Sequence, residues 1–269
     1  MQKISLWLAL LFLAVACSEP ASEEATTADQ QTDEAELADF NWNPENFADK
    51  RILRYRAPGF DQLSLEQKKL VYYLTQAGLA GRDIMYDQNY RHNLAIRRAL
   101  DHIVRNYEGE RSGADWDNFM VYTKNVWFSN GIHHHYSNDK FIPAFSRAYF
   151  EELMDATGAE LSDEALTALF DPKVDPRKID QSEGKDMVAA SAVNFYDPGI
   201  TEDEVVAFYE KLKMEVNDPR LSLGLNSKLV RNENGRLEER VWKADGLYGP
   251  AIQQIIGWLE KAVEVAENE

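Results

Sequence analysis

Apolar residues recur at intervals of three and four along much of the chain, the spacing of one face of an α-helix. A first predicted helix begins at a capping box formed by Ser64 and Gln67, whose side chains can satisfy each other's free backbone N–H groups. Gly78 and Gly81 indicate that this helix ends near them or packs closely against a neighbour. Its apolar positions are Leu65, Leu70, Val71, Leu74 and Ala77.

Six further segments have the same helical spacing. A second capping box, at Thr201 and Glu204, starts one of them. Another ends at Asp171-Pro172, because the residue before a proline is pushed out of the helical conformation. The last is amphipathic, with Ile252, Ile255, Ile256, Leu259 and Val263 on one face. The six predicted helices lie at 94–104, 116–127, 145–154, 162–170, 201–214 and 250–266.

Between the last two predicted helices the pattern changes to short alternating runs, at 225–230 and 236–242. The segment Asn232-Glu233-Asn234-Gly235 lies between these runs, and Asn-Gly is a strong hairpin signal. We therefore predict one β-hairpin in a helical domain. The expected fold class is α+β and mainly α.

Residues 1–17 have the organisation of a bacterial lipoprotein signal peptide. Lys3 gives a positively charged start, and residues 4–15 are apolar apart from Ser5. This run is too short for a membrane-spanning helix, which needs about 20 residues. Residues 13–17 match a lipobox, so we predict that Cys17, the only cysteine in the chain, is lipidated. The alternative is an ordinary secretory signal in which Cys17 is incidental.

Composition changes sharply after the predicted signal peptide. Residues 18–39 contain eight Asp and Glu but no basic or aromatic residue, so they cannot bury enough apolar surface to offset their ordering entropy. We predict a disordered acidic tether here, which accounts for much of the net charge of −17. Residues 40–269 suffice for one large domain with its own core. Their acidic balance disfavours nucleic acid as a partner, because phosphate binding demands basic patches.

Several common motifs of catalysis and binding are missing from the sequence. It contains neither G-x-G-x-x-G nor a Walker loop, so nucleotide binding has no support. It also contains no G-x-S-x-G, and its one cysteine lies in the lipobox. Schemes with a serine or cysteine nucleophile therefore have no starting point in the sequence.

The run His133-His134-His135-Tyr136, which follows Asn130 closely, is the sharpest candidate for chemistry. In an extended segment His133 and His135 would share one face and could both bind zinc, although a catalytic zinc normally needs a third protein ligand. A second interpretation has Asn130 and residues 133–136 contacting substrate in a cleft. In a third, the histidines bond to the backbone and support a cleft wall.

Three separated blocks resemble, in order, the N-terminal part of bacterial dipeptidyl peptidase III, a family of zinc peptidases that remove dipeptides from peptide N-termini. The first block, at 47–89, contains FADKRILRYRAPGF followed by DQLSLEQKKLVYYLTQAGLAGRDIMYDQN. The second, at 125–141, is NVWFSNGIHHHYSNDKF, and the third, at 225–252, is LNSKLVRNENGRLEERVWKADGLYGPAI.

The resemblance implies a two-lobed fold around a wide cleft, with zinc on a helical lobe and a small β-barrel plus helices in the other. Residues 40–269 would supply much of the lobe without zinc. In the family, zinc is held by two histidines of H-E-x-x-G-H and a glutamate of E-E-x-x-x-D, and the metal activates a water. Both motifs are absent from these 269 residues. We therefore assign no catalytic residue and no metal ligand, and expect no zinc on this chain.

Two functions follow as expectations. The chain is either the N-terminal portion of a lipid-anchored zinc dipeptidyl peptidase, incomplete and inactive alone, or a non-catalytic lipoprotein that binds peptides or a protein partner. The complete enzyme would act on short peptides. Both functions place the protein in the bacterial cell envelope, anchored by lipid at a periplasmic or outer-membrane face. An in-frame H-E-x-x-G-H after Glu269 would favour the first function, and a stop codon the second.

Overall fold

A computed structural model describes residues 40–266 and divides them into two compact units. Cys17, the predicted signal peptide 1–17 and the predicted tether 18–39 lie outside the described residues. In the smaller unit, which includes residues 40–46 and 51–55, the Arg54 N–H donates to the Trp42 carbonyl at 2.8 Å. The larger unit includes residues 47–50 and 56–266.

The described chain is mainly helical. Two short strands, β1 (Glu45–Phe47) and β2 (Lys50–Ile52), form one sheet, and β3 (Ser227–Arg231) and β4 (Leu237–Val241) form another. The helices of residues 40–266 are α1 (Leu65–Ala80), α2 (Arg82–Asn89), α3 (Asn93–Asn106), α4 (Ala114–Ser129), α5 (Arg147–Thr157), α6 (Asp163–Phe170), α7 (Met187–Ala190), α8 (Glu202–Val216) and α9 (Gly249–Val265).

Seven of these helices were predicted from the spacing of apolar residues, and both capping boxes are formed. The Ser64 hydroxyl accepts from the Gln67 N–H at the start of α1, and Gln67 bonds back to the Ser64 N–H. Thr201 and Glu204 do the same at the start of α8. The prediction missed α2 and α7. Helix α2 is polar apart from Ile84, Met85 and Tyr86, so it has no apolar stripe to detect.

The predicted hairpin is confirmed. Ser227 pairs with Val241 and Arg231 with Leu237 in an antiparallel register. The turn is closed by Gly235, whose N–H donates to the Asn232 carbonyl and whose φ of 74° suits a residue without a Cβ. The α+β, mainly α class is therefore confirmed. No closed barrel is formed by residues 40–266, whose strands make two separate two-stranded sheets.

The main core lies among α3, α4, α5 and α6. Rings from three of these elements and from the loop before α5 meet edge-on or tilted, at centroid distances of 5.3–6.4 Å. Such arrangements are the favoured ones for aromatic pairs. The fully buried residues that contribute to this core are Ile96, Leu100, Ile103, Phe119, Val126, Phe150 and Leu169.

Helices α1 and α9 form a second packed pair. Trp258 of α9 stacks on Tyr73 of α1 at 6.1 Å, and Ala262 is buried. Gly81 ends α1 and lies against Ile255, the close packing that its position predicted. No helix within residues 40–266 is long and apolar enough to cross a membrane.

We expect the substitution Leu100→Ala to destabilise the protein by about 2–5 kcal/mol, because it leaves a cavity in a close-packed core. The matched control is Leu65→Ala, which removes the same atoms from a leucine that is 65% exposed on α1. It should cost less than about 1 kcal/mol. Urea unfolding of both variants measures the two free energies, and equal losses would contradict this view of the core.

Candidate functional site

The predicted site segment begins where α4 ends. Asn130 adopts a left-handed conformation and Gly131 has a φ of 147°. A Cβ on Gly131 would overlap the Asn93 side chain, so only glycine fits there. The Asn93 side chain accepts from the Ile132 N–H at 3.0 Å, and Asn89 donates to the Asn130 carbonyl at 3.1 Å. Two asparagines therefore fix the direction in which the chain leaves α4.

His133 points into the protein and supports a neighbouring loop. Its Nε2 lies 2.9 Å from the Asp175 carbonyl, which makes Nε2–H the donor. The Tyr90 ring packs edge-on against it at 5.4 Å. Its Nδ1 is buried and has no hydrogen-bond partner among residues 40–266. Burial lowers the pKa of His133 to about 4, so the ring is neutral at pH 7.

His134 stabilises the turn that follows it. Its Nδ1 accepts from the backbone N–H groups of Tyr136 and Ser137, at 3.2 and 3.1 Å. This leaves the proton on Nε2, which lies 3.5 Å from a carboxylate oxygen of Asp49. Both ring nitrogens of His134 are thus already engaged.

His135 and Tyr136 lie on the turn, towards the surface. The His135 Nδ1 is 3.4 Å from the Ser129 hydroxyl, and its ring packs against Phe128 and Tyr136. Partial burial and the neighbouring His134 lower the pKa of His135. Tyr136 is 83% exposed.

The arrangement does not suit zinc. The extended geometry that would place His133 and His135 on one face is absent, because the chain turns at 135–137. Both nitrogens of His134 and the Nε2 of His133 already have polar partners, and the Nδ1 of His133 is buried. No group of three or more His, Cys, Asp or Glu within the described chain could hold a metal ion. The residues present therefore do not fit the metal that the family resemblance implies.

A small polar cavity of about 120 Å³ is lined in part by Asp175, the residue whose carbonyl bonds His133. The Asp175 carboxylate accepts from the Tyr90 hydroxyl at 2.7 Å and from Arg91 at 2.8 Å. Burial and the bond to Asp175 raise the pKa of Tyr90, so its hydroxyl stays a donor. The residues that line this cavity and carry polar side chains are Arg91, Asp175, Ser191, Asn194, Tyr196 and Asp197.

The segment 192–197 forms the floor of the cavity and is tied down on both edges. The Ala192 N–H donates to the Arg177 carbonyl at 3.0 Å, and Leu229 of β3 exchanges backbone bonds with Phe195 and Asp197. Tyr196 thereby forms an isolated parallel bridge with Leu229. The floor is consequently attached to the hairpin by backbone hydrogen bonds.

Lys228 and Asp87 hold the side chains of this floor. The Lys228 ammonium donates to the Asn194 side chain at 2.8 Å and pairs with Asp197 at 2.9 Å. The Asp87 carboxylate accepts from Asn194 at 3.2 Å and from the Tyr248 hydroxyl at 2.6 Å. Because the charges are already paired, the cavity can bind a polar ligand through hydrogen bonds but offers little net charge.

An aromatic pocket of about 170 Å³ adjoins the floor and shares Tyr196 with the cavity. Tyr209 donates to Glu239 at 3.0 Å, and Gly224 lies against the Tyr209 ring. The buried Trp242 Nε1 has no partner among residues 40–266. The other lining residues are Phe195, Leu225 and Ser227.

Sequence reasoning found the histidine loop but missed most of this site. Of the five predicted cleft residues, His133 supports the cavity wall through Asp175, and Asn130 lines a different cavity. Their predicted contact with substrate stays a prediction. Asp87, Asp175, Asn194 and Lys228 belong to no recognisable motif, and only the fold brings them together.

No protein-family model matches the sequence, and no curated protein matches it. Among solved structures, the chain is similar to DPP III from Caldithrix abyssi, with 18% sequence identity and a TM-score of 0.46. The match covers 78% of this chain and 29% of that chain. The chain thus spans less than a third of the length of that solved relative.

We expect the stability of the protein to fall as the pH drops from about 6.5 towards 4. His133 is neutral when folded and takes up a proton more readily when unfolded, so acid favours unfolding in this window. The substitution His133→Gln removes the titrating group. It should reduce the loss of unfolding free energy between pH 7 and pH 4.5 by about 2 kcal/mol.

Urea unfolding at the two pH values measures this difference. The control variant is His102→Gln, which changes an exposed histidine and should keep the wild-type pH dependence. If the His133→Gln variant loses as much stability in acid as the wild-type chain does, the assignment of a neutral, buried His133 ring is wrong.

Proposed function

We propose that this chain is the non-catalytic lobe of a lipid-anchored zinc dipeptidyl peptidase, and that it forms one wall of the site that holds the peptide. The zinc ligands and the catalytic residues would then lie on chain that these 269 residues do not include. The proposal rests on the resemblance of three sequence blocks and on the way in which these blocks meet.

The three blocks converge on one end of α2. Asp87 and Asn89 belong to the first block, at 47–89. Asn89 bonds the Asn130 carbonyl of the second block, and the Tyr248 hydroxyl of the third block donates to Asp87. Residues far apart in sequence are thus joined by direct side-chain hydrogen bonds. This convergence is what a shared binding surface requires, and it supports the proposal most directly.

The chemistry of the wall suits a peptide. The cavity presents the Asn194 amide and two carboxylates that are already paired with basic side chains. Amides and paired carboxylates can exchange hydrogen bonds with a peptide backbone without an unpaired charge being buried. The adjoining aromatic pocket could accept an apolar side chain. Tyr196 lines both cavities, so a ligand in either one can contact it.

The chain should bind short peptides without cleaving them. A hexapeptide that is labelled at its C-terminus should bind saturably by fluorescence anisotropy, and mass spectrometry should recover it intact with or without added zinc. The substitution Tyr196→Ala should weaken binding about tenfold, equivalent to about 1.4 kcal/mol of lost contact.

The control is Tyr72→Ala, which alters a half-exposed tyrosine on α1 and should leave peptide affinity unchanged. Zinc-dependent release of dipeptides by the purified chain would overturn the non-catalytic assignment. Failure to bind any short peptide would overturn the proposed wall.

Lipid anchoring is a second part of the proposal. The lipobox at residues 13–17 supports it, and Cys17→Ser should move the protein from the membrane fraction to the soluble fraction. The neighbouring Ser18→Ala variant should stay with the membranes. Immunoblots of fractionated cells measure the distribution, and membrane association of Cys17→Ser equal to that of the wild type would refute the anchor.

A further inference from the structure

An open cavity of about 490 Å³ lies between α2, α3 and the end of α4, apart from the proposed peptide wall. Arg97, Asp101 and Arg105 follow each other at intervals of four, so they share one face of α3. Arg82 and Tyr86 have the same spacing on α2. Trp127 and Asn130 complete the lining. We call this space the arginine cavity.

One side of the arginine cavity is held rigidly. Arg97 pairs with Asp83 at 2.5 Å and with Asp101 at 3.3 Å, and its guanidinium lies over the Tyr86 ring at 4.9 Å. The Trp127 Nε1–H donates to Asp101 at 2.7 Å. These contacts occupy the one acidic group of the lining, so Asp101 neutralises Arg97 and fixes the indole.

The other two arginines have no such partners. Neither the Arg82 nor the Arg105 guanidinium forms an ion pair or hydrogen bond within residues 40–266. Both side chains are exposed, and both border the cavity. The lining holds three arginines against one aspartate, so it is positive in a chain whose net charge is −17.

We propose that the arginine cavity binds a small organic polyanion that carries at least two carboxylate or phosphate groups. A guanidinium is a planar fork of N–H donors that matches either group bidentately. Two unpaired guanidinium groups on the rim of one cavity suit a ligand that carries two anionic groups. The volume is within the range of small-molecule sites and exceeds what a single inorganic ion fills.

The rigid side of the arginine cavity would contact the uncharged part of the ligand. The Tyr86 and Trp127 rings give apolar surface for the carbon frame of the ligand. Asp83 and Asp101 together hold the Arg97 guanidinium over the Tyr86 ring.

Isothermal titration calorimetry of the full chain with citrate, and separately with pyrophosphate, tests the proposal at constant ionic strength set with sodium chloride. We expect saturable 1:1 binding of at least one probe. The double variant R82Q/R105Q should lose at least tenfold in affinity. Binding of citrate alone would identify polycarboxylates as the ligand class, and binding of pyrophosphate alone would identify phosphorylated compounds.

The matched control is R236Q/R240Q, which removes two exposed arginines from the hairpin and gives the same change in net charge. It should retain wild-type affinity. Equal losses in both double variants would show a long-range charge effect and overturn the site. Absence of saturable binding by either probe would overturn it as well. Circular dichroism checks that both variants are folded.

Discussion

The carboxylate of Asp87 joins parts of the chain that local structure cannot bring together. It accepts hydrogen bonds from Asn194 and Tyr248, which lie 107 and 161 residues further along the sequence. Through them it connects α2 to the cavity floor and to the start of α9. Burial and the bond to Asp87 raise the pKa of Tyr248, so this hydroxyl stays a donor. A hydrogen bond between partly buried groups is stronger than one at the surface. The two bonds to Asp87 together join α2, the cavity floor and the start of α9.

Seven of the helices were predictable because each has its own signal in the sequence. Ile96, Leu100 and Ile103 fall on one face of α3 whatever the rest of the chain does, and Ser64 caps α1 through a residue three positions away. The site was not predictable in the same way. His133 and His135 would share a face only in an extended strand, but the His134 ring accepts two backbone N–H groups and stabilises a turn instead. Hydrogen bonds from the backbone to the His134 side chain thus stabilise a turn where the prediction assumed an extended strand.

Buried polar side chains stabilise the loop that carries Asp175 in the wall of the polar cavity. The Lys140 ammonium is buried and donates to the carbonyls of Ala168, Asp171 and Val174. An ammonium has three donors, and all three are satisfied by the last turn of α6 and the loop that follows it. Burial lowers the pKa of Lys140. His133 bonds the next residue of that loop, Asp175. The side chains of Lys140 and His133 therefore satisfy backbone carbonyls here, as backbone N–H groups do in a strand or helix. Neither residue belongs to a pattern in the sequence.

Helix α2 contributes residues to the arginine cavity and also supports the floor of the polar cavity. Arg82 and Tyr86 border the arginine cavity, whereas Asp87 holds the floor of the polar cavity. With eight residues, α2 is shorter than the roughly 12–15 that an isolated helix needs to be even marginally stable in water. Its helical state must therefore come from its tertiary contacts, which include Asp87 to Tyr248, Asn89 to Asn130 and Asp83 to Arg97. Contacts from both cavities therefore contribute to keeping this one short helix folded.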